Sequence, residues 1–318
     1  MDKKDKSILK CLDGDIRASS QQIGHKIKLK KETVSYRLSR LLENKTINGF
    51  YAIINGSKIG YEYNKILVSY RNVSTNIENE IIDFLKNDKK NVVWFGISDD
   101  QYNLIITTMS KDLNELRQFY ETFLQKYGTY FQEKTILQMT LGISFNEKYL
   151  YDGEYKYSIE NNLTEKEIEY DNIDIGIIKL ISENSRVSYV DIAKKLDLTS
   201  EAIRKRIKKL EANGVIMGYK LSTDFSQFNL SYHHFFISLT DINKKKEILA
   251  YYKFNKNCLS AFEYLGRYDL HLEFAFSSIA ELRSSVSDMR DRFGNWIAEL
   301  CNLNIHQENS INIFPLKT

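Results

Sequence analysis

The sequence predicts an α+β chain of two similar halves. Each half holds a three-helix, winged-helix-like helix-turn-helix unit followed by a ferredoxin-like βαββαβ domain. Three observations predict this. The first is an internal repeat: Asp5 to Phe50 falls on Asp174 to Tyr219 without a gap, a shift of 169 residues that sets Ile8 on Ile177, Leu12 on Ile181, Arg17 on Arg186, Ile23 on Ile192, Leu38 on Ile207 and Gly49 on Gly218. The second is a change of period: after each repeated block the apolar spacing passes from helical to alternating, in the order βαββαβ. The third is a short helix in each block, apolar along one narrow edge and basic elsewhere. At 318 residues the chain is long enough for several domains.

In the first unit, Ile8 to Leu12 begins a helix and Asp13-Gly14-Asp15 signals a turn. Ser19 to Ile27 is a second helix, opened by the capping pair Ser19 and Gln22. Lys31 to Leu42 is the first basic helix, and Ile47 to Asn55 reads as a strand leading out. Strands follow at Ile66 to Tyr70, Val92 to Ile97 and Leu104 to Met109, with helices at Ile77 to Leu85 and Leu113 to Tyr127. Phe131 to Phe145 alternates enough for one or two closing strands. Residues 151–172 are polar and aperiodic, and are expected to be a linker. The second half repeats the order. Ile175 to Ile181 and Ser188 to Leu196 are helices, and Leu198 to Tyr219 holds the second basic helix. Thr199 or Ser200 can cap that helix, Ile203, Ile207 and Leu210 form its apolar edge, and Asn213-Gly214 ends it. Strands at His233 to Leu239, Leu259 to Leu265 and Leu270 to Phe276, helices at Ile248 to Phe254 and Ile279 to Phe293, and a strand from Trp296 to Phe314 complete the chain. The expected boundaries are therefore 1–50, 51–150, linker 151–172, 173–220 and 221–318.

Charge is distributed unevenly. Residues 1–50 hold twelve Lys/Arg against six Asp/Glu and residues 174–220 hold ten against six, so the rest of a chain of net charge +3 is acidic. Cations gathered on the repeated helical units are what contact with a polyanion requires. The candidates for phosphate and base-edge contact are Lys30, Lys31, Thr33, Ser35, Tyr36, Arg37 and Arg40 in the first unit. In the second they are Thr199, Ser200, Arg204, Lys205, Arg206, Lys208 and Lys209. Arg37 and Arg206 have a second reading, as structural partners of nearby carboxylates. Arg204, Lys205, Lys208 and Lys209 have few acids to pair with at i±4. Because Lys30-Lys31 replaces Thr199-Ser200, and Ser35, Tyr36 and Ser39 replace Arg204, Lys205 and Lys208, the two units are expected to bind unequally.

No run of 18 apolar residues occurs, so no membrane partner is expected. Three widely spaced cysteines, Cys11, Cys258 and Cys301, argue against a disulfide framework and point to a reducing cytoplasm. No cofactor or metal is expected: His233 and His234 are adjacent on a strand and face opposite ways, and His25, His271 and His306 are scattered along the sequence.

The helical unit, Gly214-Val215-Ile216-Met217-Gly218-Tyr219, and then a βαββαβ domain with the turn Gly266-Arg267-Tyr268-Asp269 resemble the leucine-responsive regulator/asparagine-synthesis regulator (Lrp/AsnC) family. Lys45-Thr46-Ile47-Asn48-Gly49-Phe50 carries the same pattern more weakly. The resemblance covers nearly the whole chain, twice. It implies a transcriptional regulator that binds double-stranded DNA and is not an enzyme. It also implies an intramolecular pseudo-dimer, open to further homo-oligomerisation, and a small effector such as an amino acid near Gly266, Tyr268 and Asp269. The first half departs at Gly96 to Asn103, a turn four residues longer with an amide in place of the acid, which argues against an effector there. Two other functions compete. Siroheme decarboxylases share the layout, but a His-Cys-Tyr-x-Arg-like run is expected of them and Asn257-Cys258-Leu259-Ser260-Ala261 stands in its place. A protein-interaction module that has lost DNA binding is the third reading.

Overall fold

In each helical unit, an acidic cap starts the first helix. In the computed structural model, which describes residues 1–151, 158–164, 167–310 and 314, helix α1 (Lys3–Gly14) opens on a capping box between Asp2 and Asp5. Helices α2 (Ser20–Ile27) and α3 (Lys31–Glu43) follow, α2 capped by the expected Ser19–Gln22 box. Ile8, Leu9, Leu12, Ile23, Val34, Leu38 and Leu41 close over one another as the core of this unit. Lys28 turns the chain between α2 and α3 in the left-handed region, φ 56°, and the equivalent Asp197 does so at φ 52° in the second unit.

The first strand, β1 (Ile47–Ile54), leads into β2 (Glu62–Tyr70), α4 (Thr75–Asn87), β3 (Val92–Ser98), β4 (Leu104–Ser110), α5 (Leu113–Tyr127) and β5 (Phe131–Phe145). The stretch Phe131–Phe145 is thus one long strand. The expected linker is not a free tether: Ser158–Asn162 forms β6 along the C-terminal part of β5, and Asn55 Nδ2 donates to the Asn162 carbonyl at 3.0 Å. Polar residues there misled the reading because an edge strand can be polar on its open side. Residues 152–157 and 165–166 of the expected linker lie outside the described residues.

The second unit comprises α6 (Asn172–Glu183), α7 (Tyr189–Leu196) and α8 (Ser200–Ala212), with Asp171 and Asp174 in the capping box of α6. Strand β7 (Ile216–Thr223) then leads to β8 (Ser231–Leu239), α9 (Lys245–Phe254), β9 (Cys258–Leu265), β10 (Leu270–Phe276), α10 (Ile279–Phe293) and β11 (Ile297–Ser310). The order βαββαβ is present twice. The closing strand is described over Ile297–Ser310, and residues 311–313 of its expected extension to Phe314 lie outside the described residues.

The two halves share strands as well as faces. The first part of β5 pairs with β2, and from Gln138 to Ser144 the same strand pairs with β9 of the other half. Likewise β11 pairs with β8 up to Ile305 and from Ile305 onward with β3. These two crossings close eight strands into a ring, β2-β4-β3-β11-β8-β10-β9-β5 and back to β2, with β6 added beside β5. The exchanged ladders were not anticipated from the sequence. Alternation sorts the side chains. Ile66 and Val68 face α4 and α5 on the outside, while Leu67 joins Ile105, Leu137, Phe236, Tyr264, Tyr268 and Leu303 on the inside. β1 and β7 pair with each other as an antiparallel ribbon. Leu221 of β7 is buried in the first helical core, and Ala52 and Ile54 of β1 in the cluster containing the second. Each strand thus covers the other half's helices.

Candidate nucleic-acid interface

Helix α8 is seated by Ile203, Ile207 and Leu210, which are 0%, 1% and 2% exposed. Its N terminus is fixed by Thr199, whose Oγ1 accepts from the Ala202 N–H at 3.2 Å. Seating and capping leave Ser200, Lys205, Lys208 and Lys209 in solvent. Helix α3 is seated in the same way by Val34, Leu38 and Leu41, but its cap residue, Lys30, makes no side-chain cap bond. It exposes Lys30, Lys31 and Tyr36, with Thr33 and Ser35 half-buried.

Four of the predicted contact residues are occupied elsewhere. Arg206 Nη1 donates to Asp171 and to Asp174 at 2.8 Å each, and Arg37 Nη1 donates to Asp2 at 2.6 Å and to Asp5 at 2.7 Å. These pairs are repeat-equivalent and tie each basic helix to the capped start of the unit's first helix. These pairs favour the second reading of Arg37 and Arg206, as structural partners of nearby carboxylates. Arg40 also pairs with Asp5, at 3.0 Å. Arg204 pairs with Glu201, three residues before it, at 2.8 Å, a spacing outside the i±4 positions considered from the sequence. The electrostatics agree. The Asp5 N–H and then Arg37 hold the Asp2 carboxyl down at about 2, and the Arg204 guanidinium holds Glu201 below its usual range. Among the described residues, Lys205, Lys208 and Lys209 make no ion pair, so α8 presents more uncommitted cation than α3 does.

The units are also clasped to each other, which sequence reading missed. Arg17 Nη2 donates to the Val187 carbonyl at 3.0 Å, and its repeat equivalent, Arg186, donates through Nη1 to the Ile16 carbonyl. Arg17 lies 4.6 Å from the Tyr189 ring centroid and Arg186 lies 5.2 Å from that of Phe50. The Ser185 N–H donates to the Phe50 carbonyl at 2.9 Å. The alignment of Arg17 with Arg186 was the available signal; which neighbours they would meet was not in the sequence.

The turn suggested for an effector is internally bonded. Gly266 has φ +138°, and a Cβ there would lie 2.8 Å from Leu137 Cδ2. Tyr268 is fully buried and donates to Glu299 Oε1 at 3.0 Å. Asp269 Oδ2 accepts from the Leu239 N–H at 2.8 Å, as Asn103 Oδ1 accepts from the Tyr70 N–H at 2.8 Å in the first half. Asp269 and Asn103 thus brace their turns, and amide and acid do the same work.

The histidines depart from expectation. His233 and His234 do face opposite ways, but both are buried, 5% and 0% exposed. His233 bonds Asn302 and Ser231, while His234 faces into the ring and meets His271, with ring centroids 4.7 Å apart. His271 is therefore not isolated. Cys258 is fully buried, and burial pushes its thiol up to about 12, so it is not a poised nucleophile.

Comparison with known proteins follows the same architecture. Residues 1–42 match the model of an AsnC-type helix-turn-helix domain, and residues 170–217 match that of a winged helix-turn-helix DNA-binding domain. An uncharacterized HTH-type transcriptional regulator of Pyrococcus furiosus is 30% identical over 122 residues, 38% of this chain and 82% of that protein. The HTH-type transcriptional regulator LrpB of Bacillus subtilis is 25% identical over 129 residues, 41% of this chain and 86% of its own. The crystal structure of the siroheme decarboxylase NirDL superposes with a TM-score of 0.63 at 13% identity, covering 96% of this chain and 91% of that one, a likeness of fold.

Proposed function

The chain belongs to the Lrp/AsnC family of helix-turn-helix regulators, and on that premise we propose that it is a sequence-specific, duplex-DNA-binding transcriptional regulator whose two readers are supplied by one chain acting as an internal pseudo-dimer. The observation that carries the reading is α8. It is a capped helix seated by one apolar edge, with Lys205, Lys208 and Lys209 exposed and Thr199 and Ser200 at its N-terminal end. In such an arrangement cations take phosphates and the small polar residues reach base edges. The pseudo-dimer reading draws support from the exchanged ladders of β5 and β11 and from the β1–β7 ribbon. The readers are unequal, α8 the stronger.

An enzymatic role is not proposed. The likeness to NirDL is one of architecture, and the stretch in question here is Asn257 to Ala261, of which Asn257 bonds the Ala275 carbonyl and Cys258 is buried. Selection of bound duplexes from a random pool tests the proposal. Two half-sites of unequal information content are expected. Each good base contact contributes about 1–3 kcal/mol of discrimination, so disabling α8 should erase more of the pattern than disabling α3. A pool without enrichment, or equal loss from either helix, would contradict it.

A further inference from the structure

Strands β8 and β10 place His234 opposite Glu273, and His271, two residues earlier on β10, points to the same inner face. The Nε2 atoms of His234 and His271 lie 3.7 Å and 3.8 Å from Glu273 Oε1, and one ligand atom from each of the three residues falls within 4.8 Å of the others. Both imidazoles are fully buried, and none of their four ring nitrogens has a hydrogen-bond partner among the described residues. Buried polar atoms left in that state are costly, so an uncommitted pair of this kind calls for a ligand. The rings are held instead by stacking. His234 lies against Trp94 at 5.4 Å, and His271 lies between Phe236 at 4.3 Å and Phe262 at 5.2 Å. Orientation is thus fixed without using the nitrogens.

We propose that His234, His271 and Glu273 form a binding site for one divalent first-row transition-metal ion, with zinc the closest match. Two imidazoles and one carboxylate are the donor set of open zinc and related sites. Metal–ligand distances of about 2.0–2.2 Å in a tetrahedral arrangement put ligand atoms about 3.3 Å apart, so the His–Glu separations must close by about half an ångström and the widest separation by up to about 1.5 Å to complete the site. Glu273 also lines a chamber of about 80 Å³ with Tyr232, Ser260, Glu147 and Lys220. The site exists in one half alone. In the first half the register places Lys65 opposite Thr107, and Ile105 stands where His271 does. Lys65 lies over the Trp94 and Phe262 rings at 5.1 Å and 5.5 Å, and is the like charge the ion must accommodate. The proposal does not depend on DNA binding.

The test uses the tag-free, full-length chain freed of metal by chelation. Zn²⁺ is titrated calorimetrically against a competing chelator, and Co²⁺ by its visible spectrum. One equivalent of each ion per chain is expected, with His271→Gln or Glu273→Gln weakening binding at least about tenfold and His25→Gln and His306→Gln leaving it unchanged. Circular dichroism establishes that each variant is folded. Should the buried variants fail to fold, X-ray absorption on the Co²⁺-loaded wild type decides, two imidazole nitrogens being the expected count. Absence of stoichiometric binding by the folded wild type, undiminished binding in a folded His271→Gln chain, or a coordination shell without imidazole would overturn the proposal.

Discussion

Replacing Arg206 with Ala separates a structural guanidinium from a phosphate contact. The side chain donates to Asp171 and Asp174 at 2.8 Å each, and the Asp174 side chain is only 6% exposed against 31% for Arg206. Without Arg206, Asp174 keeps the Asp171 N–H, at 3.3 Å, as its remaining bonded partner. Exposed pairs contribute about 0–1 kcal/mol and breaking a buried pair costs about 3–5 kcal/mol, so this half-covered pair should cost about 2 kcal/mol. Urea unfolding reads the loss, and a cycle with Asp174→Asn should show coupling of about 1–2 kcal/mol. The pH dependence has a definite sign. The Asp174 N–H and then Arg206 hold the Asp171 carboxyl below its ordinary value of 3.8. A depressed folded-state pKa contributes stability above the unfolded value that is lost as pH falls through the folded one. The gap between wild type and Arg206→Ala should therefore be full at neutral pH and close as the pH drops below about 4. Duplex affinity, measured where both proteins are folded, should change little. A variant that keeps its stability but loses duplex binding would show that Arg206 faces phosphate and that the assignment is mistaken.

Other outcomes follow from particular contacts. Thr199→Ala should cost about 1 kcal/mol of stability by removing the α8 cap, whereas Lys30→Ala should cost nothing measurable as a cap; both are read by thermal unfolding. Lys220 of the ribbon and Glu147, in the segment just after β5, form a buried pair at 2.9 Å. Lys220→Met should cost about 3–5 kcal/mol in urea unfolding, and adding Glu147→Leu should recover most of it; no recovery would mean that packing rather than charge is at stake. Arg17→Ala combined with Arg186→Ala should speed amide hydrogen exchange in β1 and β7 while leaving the closed ring of strands protected. Uniform acceleration everywhere would refute the clasp.

Local chemistry made the elements legible. Apolar residues three and four apart marked α5 and α10, whose ends, Leu113–Tyr127 and Ile279–Phe293, coincide with the expected ones. Ser19, Ser188 and Thr199 announced helix starts, and Gly214, at φ +72°, announced a helix end. Long-range pairing was less legible. Nothing local in β5 says that Gln138 leaves one partner for another, because register is settled by which strand lies alongside. Strand β6 was hidden by its polarity. The Asp2–Asp5 and Asp171–Asp174 boxes could have been found from their spacing, and they would have pointed to partners for Arg37 and Arg206. His234 and His271 meet only because β8 and β10 are neighbours, a fact of topology. The basic surplus drew attention to α3 and α8, but not to which of their cations were already paired.

The central claim is that α8, through Lys205, Lys208 and Lys209, holds duplex phosphates. The most direct measurement is duplex affinity as a function of salt, for the wild type and for Lys208→Ala combined with Lys209→Ala. Each neutralised phosphate contributes a log–log slope of about −0.9, so losing two contacts should flatten the slope by about 1.8 while leaving unfolding stability nearly unchanged. An unaltered slope, or no duplex binding at low salt, would contradict the account.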